Sequence, residues 1–338
     1  MSTNNPTLAD LTSRLTQDGK VDPAIIEILN ESNAMLEDAT WKEATGVTEN
    51  VTTVRSGLPN VAWRRLNYGV QPSKSKTKQI SDSIGMLEAY AECDAKLVEL
   101  NGNTAAFRLS EDRAFIESMN QTLQNAVIYG NIKDNPAGIM GFAPRFSTTS
   151  KTKAENAMNV LDAGGTGTNL GSIWLVGWGL NSTYLTYPKG LPAGLKTTDL
   201  GEVTLDDADG GHYQGYRTHY EWNVGLVLRD WRYVVRIANI DRDALRNDPD
   251  KEEAKSLAAG ARLWDLMTEA VTLLPNMSGI RPVFYCDRTM LAFMRKQARN
   301  AKNVNLTLDQ VAGRPVTAFD GIPVRRVDAL GASETRVI

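Results

Sequence analysis

Leu109-Ser-Glu-Asp-Arg-Ala-Phe-Ile-Glu-Ser-Met-Asn-Gln-Thr-Leu-Gln-Asn-Ala-Val-Ile-Tyr-Gly130 is the clearest long helical pattern in the first half of the chain. Phe115, Met119, Leu123, Ala126 and Val127 recur every three or four residues, the spacing that gathers side chains onto one helix face. Glu117, Gln121 and Gln124 are expected on the other faces. Ser110 can cap the N-terminus, Glu111 and Asp112 suit the positive end of the helix dipole, and Gly130 stops the run. These signals predict a helix over 110–129, roughly 30 Å long, with Phe115, Met119, Leu123 and Val127 as its core stripe. Such a rod is a spine: it carries a sheet along one side and offers its polar faces to solvent or to other chains.

Composition bounds what is built around it. At 338 residues the chain is long enough for two compact domains or one elaborate one. A net charge of -3 gives no basic surplus for strong non-specific binding to nucleic acid. The two cysteines, Cys93 and Cys286, lie far apart with no Cys/His spacing around them, which speaks against a disulfide framework or zinc site and suits a reducing cytosol. No run approaches the eighteen or so apolar residues that cross a bilayer, so the expectation is a soluble protein, made without a signal peptide and with no membrane partner.

Ahead of the spine, residues 1–22 carry Leu8, Leu11 and Leu15 at helical spacing before a break at Asp18-Gly19, an arm rather than a domain. Asp22-Pro23 then opens a short amphipathic helix ending near Asp38. Over 41–78 the helical period disappears. Residues 51–55 and 61–66 read as strands around the turn Ser56-Gly-Leu-Pro-Asn60, and 68–78 as a further extended polar leg. Arg64, Arg65, Lys74, Lys76 and Lys78 make this hairpin locally basic; either it is a solvated loop, or it is a charged tongue laid across an acidic neighbour with Trp63 as anchor.

Beyond it, 85–100 supports a strand running into a helix, and Asn135-Pro-Ala-Gly-Ile-Met-Gly-Phe-Ala-Pro-Arg-Phe146 a tight path tucked under the core. Residues 173–178, 222–228 and 233–237 are strand-like, the last two forming an expected hairpin through Arg229-Asp230. Gly164-Gly-Thr-Gly-Thr-Asn169 lacks the Lys-Ser/Thr ending of a phosphate loop and reads as a turn. His212 and His219, the only histidines, stand beside Asp207 and Asp209, but strand spacing of seven puts them on opposite faces. In the last hundred residues a helix from Asp248-Pro249 to Leu274, a strand at 282–286, a helix at 288–298 and a strand at 322–327 make an α/β layer.

The succession of arm, helix, hairpin with Gly69-Val-Gln-Pro-Ser73, spine and Asn135-Pro-Ala-Gly-Ile-Met-Gly141 resembles the major capsid proteins of tailed bacteriophages, the Hong Kong 97-type fold. Ser172-Ile-Trp-Leu-Val-Gly-Trp178, Tyr187-Pro-Lys-Gly190, Asp206-Asp-Ala-Asp-Gly-Gly211, Tyr216-Arg-Thr-His-Tyr220 and Gly225-Leu-Val-Leu-Arg-Asp-Trp-Arg-Tyr-Val-Val-Arg-Ile-Ala-Asn239 are similar to one branch, the short-tailed-phage coat proteins related to that of epsilon 15. The resemblance implies an α+β fold: N-terminal arm and short helix 1–40, extended hairpin (E-loop) 41–84, peripheral domain 85–245 with spine and long strands, and axial domain 246–338. The 225–239 strands precede the axial-like unit, so the connection order is expected to be permuted relative to commoner members. It implies a coat protein that assembles as pentamers and hexamers into an icosahedral shell in the virion. Double-stranded DNA would be a neighbour bound without sequence preference. A decoration or cement protein, a scaffold and a portal are implied as companions. Subunit contacts are expected from Leu8, Leu11 and Leu15 on the arm and from Trp63, Arg64, Arg65, Lys74, Lys76 and Lys78 on the hairpin. No catalytic residue, metal ligand or cofactor is assigned. The alternatives are a two-domain α/β metal-dependent enzyme built around His212, Asp207 and Asp209, and a capsid accessory protein.

Overall fold

The computed structural model describes residues 34–100, 104–207, 210–246, 263–300, 306–311 and 314–338. Leu8, Leu11 and Leu15, and all but the last turn of the expected helix before Asp38, lie outside them; the last turn is Ala34–Asp38. The strands are β1 (Trp41–Glu43), β2 (Glu49–Gly57), β3 (Lys76–Asp94), β4 (Val160–Asp162), β5 (Leu170–Trp178), β6 (Thr183–Tyr187) and β7 (Lys196–Asp206), followed by β8 (His212–Leu228), β9 (Val234–Asp241), β10 (Arg281–Cys286), β11 (Leu306–Val311), β12 (Arg314–Phe319) and β13 (Ile322–Arg326). They connect in the order β11-β12-β13-β10-β5-β6-β8-β3-β2, with β7 on β8, β9 between β5 and β4, and β1 on β6.

The two-residue period of a strand explains how one sheet holds two cores. On β5, Trp174, Val176 and Trp178 face a core shared with Leu123, Val127 and Ile128 of the spine and with Phe142 and Phe146. Ile173 and Leu175 face the opposite way, into a core with Met267, Met290, Phe319 and Val324. β10 divides likewise, Val283 and Tyr285 to the first core, Phe284 and Cys286 to the second. Hence all nine residues of β5 are buried, and Ile173 to Trp178 read as a continuous apolar run. The antiparallel pairing of β10 with β5 carries the ladder from the C-terminal helices to the spine.

The spine helix spans Thr104–Tyr129, six residues longer at its start than the sequence signals suggest. Ser110 is therefore interior and not a cap, and Glu111 and Asp112 sit about two turns in. No breaker separates Thr104 from Ser110, and Phe107 is buried in a small cluster with Cys93, Leu97 and Val98, which rewards continuing the helix upstream. Met119, Leu123 and Val127 are buried, and Phe115 is half-buried with its ring stacked 6.2 Å from that of Tyr220. Gln124, expected on a polar face, is fully buried and donates from Nε2 to the Met35 sulfur at 3.4 Å, because helix Ala34–Asp38 covers that face. Gly130 ends the rod by close packing: a Cβ there would lie 2.4 Å from the Ala126 carbonyl oxygen and 2.5 Å from that of Ile139.

Two further expectations are corrected. Residues 61–66 form no strand; they belong to an exposed loop, 58–75, because no other described strand lies alongside to accept their hydrogen bonds. The 222–228 and 233–237 strands do not form a hairpin. Arg229 and Asp230 donate their backbone N–H groups to the Ser182 carbonyl, and the Asp230 carboxylate then caps the short turn Trp231–Tyr233. That detour carries the chain past β6 and β5, so β8 pairs with β3, β6 and β7 while β9 pairs with β5 and β4. The ribbon β11–β12 went unforeseen, and the strand-like 85–94 runs on from β3 and passes directly into a helix at Ala95–Leu100, as expected.

Candidate assembly surfaces

β3 is nineteen residues long and changes partners midway. From Ile84 to Asp94 it pairs with β8, whereas Lys76 to Ser83 pair only with β2, over the register Glu49↔Ser83 to Gly57↔Lys76. Eight paired residues at about 3.4 Å each make a two-stranded ladder roughly 27 Å long that no third strand supports among the described residues. At its end, loop 58–75 is held by few bonds of its own: Ser73 Oγ donates to the Asn60 carbonyl at 2.6 Å, and Arg64 Nε to the Tyr68 carbonyl at 3.2 Å, across a turn with Asn67 at φ 64°.

The side chains on this tongue are the reverse of what a solvated loop needs. Leu58, Val61, Leu66, Tyr68 and Val70 are exposed, and Trp63 is completely so, at 102%. Six cations, Arg55, Arg64, Arg65, Lys74, Lys76 and Lys78, punctuate residues 51–81, where there is no Asp or Glu. None of them forms an ion pair with a described residue. All six sequence-predicted hairpin residues thus lie together on the one projection, and the apolar members beside Trp63 were missed because exposure leaves no trace in periodicity.

The root of the tongue is held by polar groups. Arg145, expected only as part of a tight loop, donates from Nη2 to Asp82 Oδ1 at 2.8 Å and to the carbonyls of Met140 and Leu226. Buried Asn50 bonds Thr52 Oγ1 and the Tyr184 hydroxyl. A polar anchor sets direction, since each bond has an angular preference that apolar packing lacks.

The chain enters the described body at Ala34–Asp38, and its last residue is pinned. Asp38, buried, lies 3.0 Å from Arg325 Nε and 3.1 Å from Arg281 Nη2, and accepts the Tyr285 hydroxyl at 3.1 Å. Tyr285 in turn accepts from Trp178 Nε1 at 2.8 Å. Burial pushes the Asp38 carboxyl above its ordinary value, against the pull of Arg325, the Tyr285 hydroxyl and Arg281. Burial likewise pushes the Tyr285 hydroxyl well up. Helix Ala34–Asp38 is therefore tied to the sheet through a desolvated carboxyl group as well as through Met35 in the core.

The histidines do not converge. His212 lies on the β7–β8 ribbon with Nδ1 2.5 Å from Asp206 Oδ1, while His219 stacks on Tyr90, ring centroids 4.5 Å apart, with Nε2 3.4 Å from Glu88 Oε2. Among the described residues no three His, Cys, Asp or Glu side chains are placed to hold a metal ion. Asp207 instead accepts the Gly211 N–H through Oδ1 at 2.7 Å, and Asp209 is outside the described residues. Cys93 and Cys286 are buried and unbridged.

The described residues form a sheet-and-spine body from which an apolar tongue with unpaired cations projects. Residues 16–338 match the model of the family described as major capsid protein GP7, and the chain belongs to that family. It is 32% identical to a chain in the cryo-EM structure of bacteriophage Epsilon15, over 100% of this chain and 98% of that one, with a TM-score of 0.76. The bacteriophage JBD30 capsid matches at 14% identity over 96% of this chain and 99% of that one, TM-score 0.48. No curated protein matches the chain. The protein is a phage major capsid protein with the α+β, Hong Kong 97-like fold, and many copies of it form the shell of the virion.

Proposed function

We propose that this coat protein closes into pentamers and hexamers of an icosahedral shell around double-stranded DNA, with tongue 51–81 and the N-terminal arm as its principal grips on neighbours. The observation that carries this is the set of six large apolar side chains exposed on a loop that no other described residue covers. Burying an aromatic side chain removes some 150–250 Å² from water. At about 25 cal/mol per Å², Trp63 alone is worth at most ~4–6 kcal/mol per contact before ordering costs. Repeated around a closed shell, contacts of that size sum by avidity. Trp63, Arg64, Arg65, Lys74, Lys76 and Lys78 are the proposed tongue contacts, and Leu8, Leu11 and Leu15 those of the arm. In this reading 41–84 is the extended loop, 85–245 the peripheral domain and 246–338 the axial domain.

The absence of a basic surplus supports a wall that neighbours its DNA without gripping it. A scaffold, a portal and a decoration protein complete the particle, and synthesis takes place in the host cytoplasm. The shell role calls for no catalytic or metal chemistry, and no observation favours the enzyme or accessory-protein alternatives. Trp63→Ser tests the grip: the side chain is fully exposed among the described residues, so the monomer should melt as wild type while sedimentation and negative-stain microscopy find shells reduced at least tenfold. Shells at wild-type yield would overturn the reading.

A further inference from the structure

The tongue's charge needs a partner, and the rest of the chain is where to look. With its six cations set aside, 31 basic residues face 40 acidic ones elsewhere. β7 stands out. It is an edge strand: one side pairs with β8, and the other has no ladder partner among the described residues. Seven of its eleven residues are exposed, with Asp199, Glu202 and Asp206 against a single cation, Lys196, and with Leu200 44% exposed between the first two acids. At Leu200-Gly201 the register slips, Asp199 standing opposite Thr218 and Glu202 opposite Tyr216, and Gly201 takes φ 73°. Such a bulge bends the strand and increases its local twist.

We propose that the β7 edge of one subunit is the seat for the basic tongue of a second copy of this chain, Leu200 receiving part of the tongue's apolar loop and Glu202 and Asp206 facing its lysines. This rests on the tongue being an inter-subunit grip and names the surface it grips. An exposed edge invites pairing with its own kind; acid on acid opposes that, whereas acid on a cationic hairpin favours it. The charges therefore select a head-to-tail contact over a symmetric one, which is the kind that generates rings. Asp199 is already committed to Arg108 at 2.6 Å, so the unspent charge lies at Glu202 and toward the ribbon tip, where Asp206 shares His212.

Charge exchange tests it in the full-length chain, with particle yield by sedimentation as readout and circular dichroism as the folding check. A tongue variant, K74E/K76E/K78E, and an edge variant, E202K/D206K, should each lose at least tenfold in shell yield. Both sets in one chain should restore it to within about threefold of wild type. Failure of the combined variant to exceed either single set, with folding intact, overturns the pairing. An edge variant that assembles normally while the tongue variant fails also overturns it, leaving the tongue as a grip on some other surface. A tongue variant that assembles normally overturns the grip itself, and the pairing with it.

Discussion

Arg242 is the residue whose loss the structure makes most costly. It is 3% exposed and spends all five N–H donors: Nε on Asp287 Oδ2 at 2.6 Å, Nη1 on Asn169 Oδ1 and the Leu170 carbonyl, Nη2 on the carbonyls of Leu330 and Ala332. Asp287 is almost equally buried, and its other oxygen accepts the Met290 N–H at 2.6 Å, capping helix Arg288–Asn300. Arg242→Met leaves that carboxylate desolvated with half its partners, a change that costs about 3–5 kcal/mol. With an unfolding entropy of roughly 2.1 cal/mol/K per residue, the whole chain gives about 0.7 kcal/mol/K, so Tm should fall by ~4–7 °C. Differential scanning calorimetry of the unassembled subunit measures this. Arg242→Met with Asp287→Asn removes both charges while keeping a capping side chain, and should recover about half the loss. A drop under about 1 °C for Arg242→Met, or no recovery in the pair, would refute the assignment of the cost to a stranded charge.

Gly171 lies flat beneath that guanidinium: a Cβ there would come within 2.5 Å of Arg242 Nη2 and 2.8 Å of Met290 Cε. Gly171→Ala should therefore destabilise wild type by several degrees and the Arg242→Met background by clearly less, a non-additivity read from the same melts. For Asp38 the sign follows from its raised pKa: its stabilising protonated form is fully present below the ordinary 3.8 and lost as pH rises through the folded value. Asp38→Asn should thus gain on wild type in Tm between pH 4 and 7; a gap that narrows with pH would contradict burial as the dominant cause. Cys286, its thiol pushed far up by complete burial, should resist thiol reagents in the native subunit and label only on unfolding, as mass spectrometry would report.

The readable parts of this protein were those where one local rule acts alone. The spine's stripe at Met119, Leu123 and Val127, its stop at Gly130 and the apolar run of β5 follow from periodicity and from glycine, and the family strings along the chain pointed to the coat-protein fold. Where a neighbour distant in sequence changes the balance, local rules failed. Ser110 was not a cap because Phe107 finds a cluster with Cys93 and Leu97; Gln124 was not on a polar face because Met35 covers it; and 222–237 was not a hairpin because the Ser182 carbonyl holds its middle. The basic character of the tongue needs only a count of charges, which depends on no fold. That its apolar side chains stand uncovered by any described residue, that Arg242 meets five acceptors drawn from three separate segments, and that β7 is an edge among the described strands are facts of long-range placement. Sequence determines what each residue would prefer, and tertiary structure decides which preferences are met within the chain and which are left for another copy to satisfy.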